Sequence, residues 1–360
     1  MLYALLAYYL FGTALRKNYR AFSPKMRIFI CLLPAFIITA FRDISVGNDT
    51  YVYARAYNLL NTNQELFTFL SNSRFEIGYN LVEFFFKKLG ADYYVMQFAI
   101  TLFIYYSLGR YILKYSMNPW LSCFVFLTTR DFFGPMNTTR MWLAISVILF
   151  SLDFLVNRQF VRFILLTALA SLFHFTALVF VVMYFFYQVE IDYRIISITT
   201  VLSLAVLIMG RSFFLWLTSR INRYSGYLDS AYFNVRDNIA IYIELLLNIA
   251  YFTLLYAINK KMSARGITTT GIDKLTYSAS LIAVAMSIIG LTNAITSRVA
   301  AFFTVFLIIS LPNALRRVKK ENKVILIPAF ILLMIVQFVV VIVFRPHWSG
   351  IIPYNFLWNK

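Results

Sequence analysis

The sequence predicts an all-α fold, a polytopic integral membrane helical bundle, on three observations. Of 360 residues, 61% are apolar and only 13% charged, whereas a soluble chain of this length carries roughly twice that charge. Mean hydropathy is +0.73. Apolar runs of membrane-spanning length recur from end to end between polar loops. The net charge of +18, from 33 basic and 15 acidic residues, reads largely as an orientation signal, so no nucleic-acid partner is needed to explain it. Cys31 and Cys123 fall inside predicted spans and read as small packing residues. No Cys/His spacing suits a metal, and no metal or cofactor is expected.

The first apolar segment, 2–14, is followed by Arg16, Lys17, Arg20, Lys25 and Arg27. That cluster should be cytoplasmic, which puts the N-terminus outside. No basic region precedes this segment, so no cleavable signal peptide is expected. Segment 26–41 returns the chain outward into a long external loop, about 42–76, in which Asp49 is placed to cap a helix starting near Thr50. Segment 77–89 is too short to span. Glu83 and Lys87 stand one turn apart in it, as in an interfacial amphipathic helix. Segment 92–113 crosses inward to Arg110 and Lys114, 119–130 returns outward, and 141–157 goes in again to Arg158 and Arg162. Segment 163–187 is read as a hairpin or two short helices meeting near His174. This reading keeps Lys260, Lys261, Arg265, Arg316, Arg317, Lys319 and Lys320 cytoplasmic. Segment 195–210 then opens a second external loop, about 211–238, and segments 239–258, 274–293, 298–315 and 324–344 complete one domain of about twelve passes, both termini outside.

Several polar groups gather at the predicted outer face, where Lys and Arg run against the orientation bias. Guanidinium forks there suit a phosphate-bearing ligand, because they bind its oxygens bidentately. Arg42 and Asp49 flank a Gly47-Asn48 turn that can fold one toward the other. Arg42 would hold an anionic phosphate and Asp49 orient or deprotonate a sugar hydroxyl; alternatively the two form an ion pair that fixes the loop. Tyr51 and Tyr53 stack on a sugar or pack on the bundle. Glu76 supplies a second carboxylate or caps the helix after it. Asn137 and Arg140 bracket the outer mouth of span 141–157. An Arg at a helix start opposes the macrodipole, so Arg140 answers either to a bound phosphate or to a protein carboxylate. His174 lies at the proposed helix break, where polar residues in a membrane are mostly functional, although a lone His is more often a satisfied core residue. Arg298 leads into span 298–315 and either joins a phosphate site with Arg140 or snorkels to headgroups.

In order along the chain, this set resembles the EpsG/Wzy family of bacterial surface-polysaccharide polymerases. The matching residues are Arg42, Val46-Gly47, Asp49-Thr50 and Tyr53, then Glu76-Ile77-Gly78-Tyr79, then Asn137, Arg140 and Leu143-Ala144. They continue with Phe173-His174, Thr176-Ala177-Leu178, Arg298, Arg345-Pro346 and Pro353-Tyr354. Asn48, Thr176 and Thr139 depart from the commoner family residues, which bears on fine specificity. The resemblance implies a GT-C-like glycosyltransferase without nucleotide sugar or metal. It would join oligosaccharide repeat units carried on undecaprenyl pyrophosphate at the external face of the inner membrane. Asp49, Glu76 and His174 would then be catalytic, while Arg42, Tyr53, Asn137, Arg140 and Arg298 bind substrate and pyrophosphate. Expected partners are the lipid-linked oligosaccharide as donor and acceptor, membrane lipids and a chain-length regulator protein. The rivals are a flippase for the same lipid and a membrane acyltransferase. A flippase should line a path through the bilayer with charge, and an acyltransferase wants a carboxylate beside its His; the sequence offers neither.

Overall fold

A computed structural model describes residues 22–61, 66–73, 75–220, 239–267, 269–292, 298–344 and 350–358. The expected segment 2–14 with Arg16, Lys17 and Arg20, and the core of the second loop at 221–238, lie outside them, as does the Arg345-Pro346 motif. Among the described residues every regular element is helical, and the one β contact is an isolated bridge between Arg42 and Phe356. Five helices among the described residues are long and apolar enough to cross a membrane: Thr139–Val156, Tyr193–Gly210, Ile239–Ser263, Gly271–Thr292 and Lys320–Phe344. The described helices fall into two compact units, one of residues up to Leu178 together with Lys319 onward, the other Val179–Val318.

Helix starts in the first unit follow from local chemistry. Ser23 caps the Pro24–Ala40 helix by accepting from the Met26 N–H at 3.3 Å, with Pro24 in the first turn. Asp92 caps Tyr93–Tyr115 through the Val95 N–H at 2.9 Å, and Asn118 caps Pro119–Thr128. Several hydroxyls inside the first unit bond to neighbouring helices or back to their own, as low-dielectric surroundings favour. Thr39 bonds back to Ala35 O at 2.8 Å and across to the Tyr105 hydroxyl at 2.9 Å. Ser107 donates to Ser146 O at 2.8 Å, tying the Tyr93–Tyr115 helix to Thr139–Val156. At the far end of that pair, Arg110 reaches Asp153 at 2.6 Å and Lys114 joins the same carboxylate. The Lys320–Val339 helix packs on the turn before Thr139, with Phe338 stacked on Phe133 at 6.1 Å.

In the second unit, Thr270 and Asp273 form a reciprocal capping box at the start of Gly271–Ile289. Asn248 donates to Ser287 Oγ at 2.8 Å, and Phe252 stacks on Tyr277 at 5.7 Å.

The expected break near His174 is present. The Phe160–Ser171 helix stops, a turn at 172–174 intervenes, and a 3-10 segment Phe175–Val181 follows. Two expected boundaries are corrected. The helix expected over 195–210 runs from Tyr193 to Arg220, because Arg211 begins no turn and the apolar sequence continues through Trp216 and Leu217. The span expected over 298–315 is broken into Ala301–Thr304 and Leu307–Arg317. Glu83 and Lys87 do not pair across a turn either: Glu83 is buried, while Lys87 donates to Asn58 O at 3.4 Å and sits over the Tyr57 ring. The helix turns its 78, 79, 80 and 83 face inward, and the desolvated carboxyl goes with it.

Candidate functional site

The site lies in the first unit, where four stretches distant in sequence meet at the N-terminus of the Thr139–Val156 helix. The Asn48 N–H donates to Asn137 Oδ1 at 2.8 Å, and Thr50 Oγ1 to Met136 O at 2.9 Å. Gly47 makes this approach possible: its φ is +97°, and a Cβ there would stand 2.2 Å from Met136 O. The Gly78 N–H donates to Leu172 O at 2.8 Å, so the start of the Ile77–Lys88 helix lies directly on the turn that carries His174. A Cβ on Gly78 would also collide with that carbonyl, at 2.8 Å.

Arg140 is the centre of the cluster. Its guanidinium forms an ion pair with Glu76, whose other oxygen accepts from the Phe175 N–H at 3.5 Å. Three rings surround the cation, with centroids 4.4 Å (Phe75), 5.5 Å (Tyr53) and 5.9 Å (Tyr79) from the guanidinium carbon. A cation over aromatic faces is held by the ring quadrupoles. Of the two readings of Arg140, its partner is thus a protein carboxylate. Glu76 occupies the cap position of its helix, yet its side chain makes no capping bond and goes to Arg140 instead.

Arg42 is fully buried. It does not pair with Asp49. Its guanidinium donates to Thr39 O and, at 3.4 Å, to Thr139 Oγ1, one residue before Arg140. Burial among neutral partners pulls its pKa below the ordinary value. Gln97 fixes the adjoining backbone by donating to Ala40 O and Arg42 O, both at 3.0 Å. Asp43 carries the opposite balance: burial raises its pKa, but hydrogen bonds from Ser45 and Tyr94 outweigh it and hold the carboxyl low.

Asp49 stands, half-buried, at the cap position of the Thr50–Leu59 helix, as expected, without a side-chain capping bond. Tyr53 is buried against Phe75 and Tyr79 and serves as a wall for Arg140, while Tyr51 is exposed. Asn137 spends its side chain on Asn48 N and Phe133 O. His174 is half-buried, its Nδ1 bonded to Thr176 Oγ1 at 2.7 Å. Arg298 is exposed in the second unit. The first unit therefore gathers Arg42, Asn137, Arg140, Glu76, Tyr53 and the His174 turn.

The chain's final described segment was not anticipated as part of this site. The Asp43 N–H donates to Asn355 O at 2.9 Å, Gly47 N–H to Gly350 O at 2.8 Å and Leu357 N–H to Phe41 O at 3.0 Å. The Tyr354 hydroxyl donates to Ile38 O at 2.6 Å, and Phe356 stacks on Trp358 at 4.6 Å. Only the Pro353-Tyr354 pair signalled it in the sequence. Glu83 was also missed as a site neighbour, although 76, 79 and 83 share one helical face by spacing alone.

No curated protein and no solved structure matches the chain. The sequence pattern of the EpsG family matches residues 25–356, which takes in every element of the cluster. The chain belongs to the EpsG family.

Proposed function

We propose that this protein is a bacterial surface-polysaccharide polymerase that joins oligosaccharide repeat units carried on undecaprenyl pyrophosphate. The observation that carries the reading is the convergence on Arg140 of Glu76, the aromatic wall and the His174 turn in a chain of this family. In the reaction, a hydroxyl of the acceptor sugar attacks the anomeric carbon of the donor, and its proton passes to a carboxylate. The bond from that carbon to the pyrophosphate oxygen breaks, and the departing pyrophosphate takes the electron pair. Arg140, released from Glu76, stabilises charge growing on the leaving group. Arg42, buried behind Thr139, keeps the first turn of the Arg140 helix in place. His174 orients the acceptor.

A null strain tests the reading. Surface glycan with single repeats only supports a polymerase, whereas complete loss of surface repeats makes the protein a flippase. Asp49 is the proposed proton acceptor, since it stands half-buried at the loop that abuts Asn137. Asp49→Asn, which keeps size and polarity, should abolish long glycan on electrophoresis while the protein accumulates at normal levels. Wild-type glycan from that variant would pass the role to Glu76.

The reaction as proposed takes place on the external side, in a GT-C-like bundle of about twelve passes. Ser45 is exposed on the Arg42 loop. Ser45→Cys should therefore react with a membrane-impermeant maleimide added to intact spheroplasts. Labelling only after lysis would invert the topology.

A further inference from the structure

Beside the Arg140–Glu76 pair lies a second carboxyl that the proposed reaction does not use. Glu83 is one turn beyond Tyr79 on the same inward face of the Ile77–Lys88 helix and is only 2% exposed. Its Oε1 is buried without a hydrogen-bond partner. So is the Nε of Arg140, whose guanidinium carbon lies 5.9 Å from the ring centroid of Tyr79, one turn before Glu83. A buried acceptor and a buried charged donor thus lie unmatched in one neighbourhood, close enough for Arg140 to act on the Glu83 charge. An ionised carboxylate left so would be strongly unfavourable.

We propose that Glu83 is a positioning residue for Arg140: a reserve counter-ion that, while neutral, leaves the guanidinium to an anionic ligand and, once ionised, claims it. The proposal rests on the reading that Arg140 receives a prenyl pyrophosphate. Each helix packed near Glu83 bears on its charge. Arg140 comes from the Thr139–Val156 helix and favours ionisation. Tyr57 comes from Thr50–Leu59, Tyr93 from Tyr93–Tyr115, and Tyr79 from its own helix. These phenols, with ordinary values near 10, stay neutral through about pH 9. Glu76 pairs with Arg140 until a ligand takes its place, Lys87 points to Asn58, and His174 sits on the turn at Gly78 bonded to Thr176. The Leu66–Asn72 helix, which packs through Phe69 on Phe84, carries no titratable group. The 12-residue helix is too short to span a bilayer. Burial there pushes the Glu83 carboxyl up to about 8, with Arg140 opposing the rise. Glu83 is therefore neutral at pH 7 and largely ionised at pH 9.

Ionised Glu83 competes with the ligand for one cation, so affinity for a pyrophosphate falls as pH rises through about 8. A charge-assisted hydrogen bond yielded to the competitor corresponds to roughly tenfold in affinity. The test is farnesyl pyrophosphate binding to the purified full-length protein in nanodiscs, followed by calorimetry from pH 6.5 to 9.5. The wild type should weaken about tenfold between pH 7 and pH 9, and Glu83→Gln, which mimics the neutral acid, should hold its pH 7 affinity throughout. A flat wild-type profile, or the same fall in Glu83→Gln, overturns the proposal while leaving the pyrophosphate reading intact. A Glu83→Gln protein that does not fold overturns it too, since the neutral form would then not be the resting one. No binding by the wild type at any pH removes both.

Discussion

Arg140→Met should eliminate long glycan and, separately, destabilise the purified protein. Two effects are expected because the side chain has two tasks. In the proposed reaction it supplies charge to the leaving group in the transition state, and Met offers none. As the partner of Glu76, whose side chain is 10% exposed, it neutralises a carboxylate inside a ring of Phe75, Tyr53 and Tyr79. Removing one member of a buried pair costs about 3–5 kcal/mol, since the other is left desolvated and unmatched. The double variant Arg140→Met, Glu76→Leu should recover most of that stability, because an apolar pair can occupy the space, yet recover no polymer. Thermal melting in detergent reads the first quantity and glycan electrophoresis the second. Polymer at wild-type length from the single variant would mean that Arg140 is structural only.

Gly47→Ala should silence the site while leaving the bundle inserted. Positive φ costs an L-residue roughly 1–2 kcal/mol, and here the new methyl would also meet Met136 O at 2.2 Å and Thr50 Oγ1 at 2.8 Å. The loop must lift away, and the Asn48–Asn137 and Gly47–Gly350 hydrogen bonds break as it does. Gly90→Ala is the control: φ is +73°, but nothing stands within 4 Å of its Cβ, so only the conformational term applies. Glycan output should drop at least tenfold for Gly47→Ala and little for Gly90→Ala, at equal protein levels on immunoblot. Equal output from both would show that the loop need not touch the Met136 turn.

The membrane class was legible in the sequence because charge is scarce in this chain. For the same reason Arg140 at the head of an apolar helix called for an anion, but the sequence left a phosphate and a protein carboxylate equally open, and the pairing with Glu76, read as a second carboxylate or a helix cap, was not foreseen. The break at His174 was legible from orientation bias applied to basic loops far downstream. The Arg42 partner was not. A seven-residue spacing across a glycine turn made Asp49 plausible, but the guanidinium found Thr39 O and Thr139, and backbone carbonyls leave no mark in a sequence. Glu83 was misassigned for a related reason. Its i+4 Lys suggested an exposed pair, whereas tertiary packing turned that face inward. The extension of the Tyr193–Arg220 helix shows how a single Arg can be mistaken for a boundary.

The hydrogen bonds that close residues 38–47 onto 350–357 also order events in time. Tyr354 reaches back to Ile38 over 316 residues. Synthesis adds about 5–20 residues per second, so the Arg42 loop emerges roughly 15–60 s before its last partners exist. During that interval the helices already made can insert and pair, but the loop lacks its anchors at Asn355, Gly350 and Leu357. A nascent chain is therefore a bundle with an unfinished loop until residues 350–357 are made. Termination before Gly350 should yield protein that is membrane-embedded yet forms no polymer, which membrane immunoblotting and glycan electrophoresis would show.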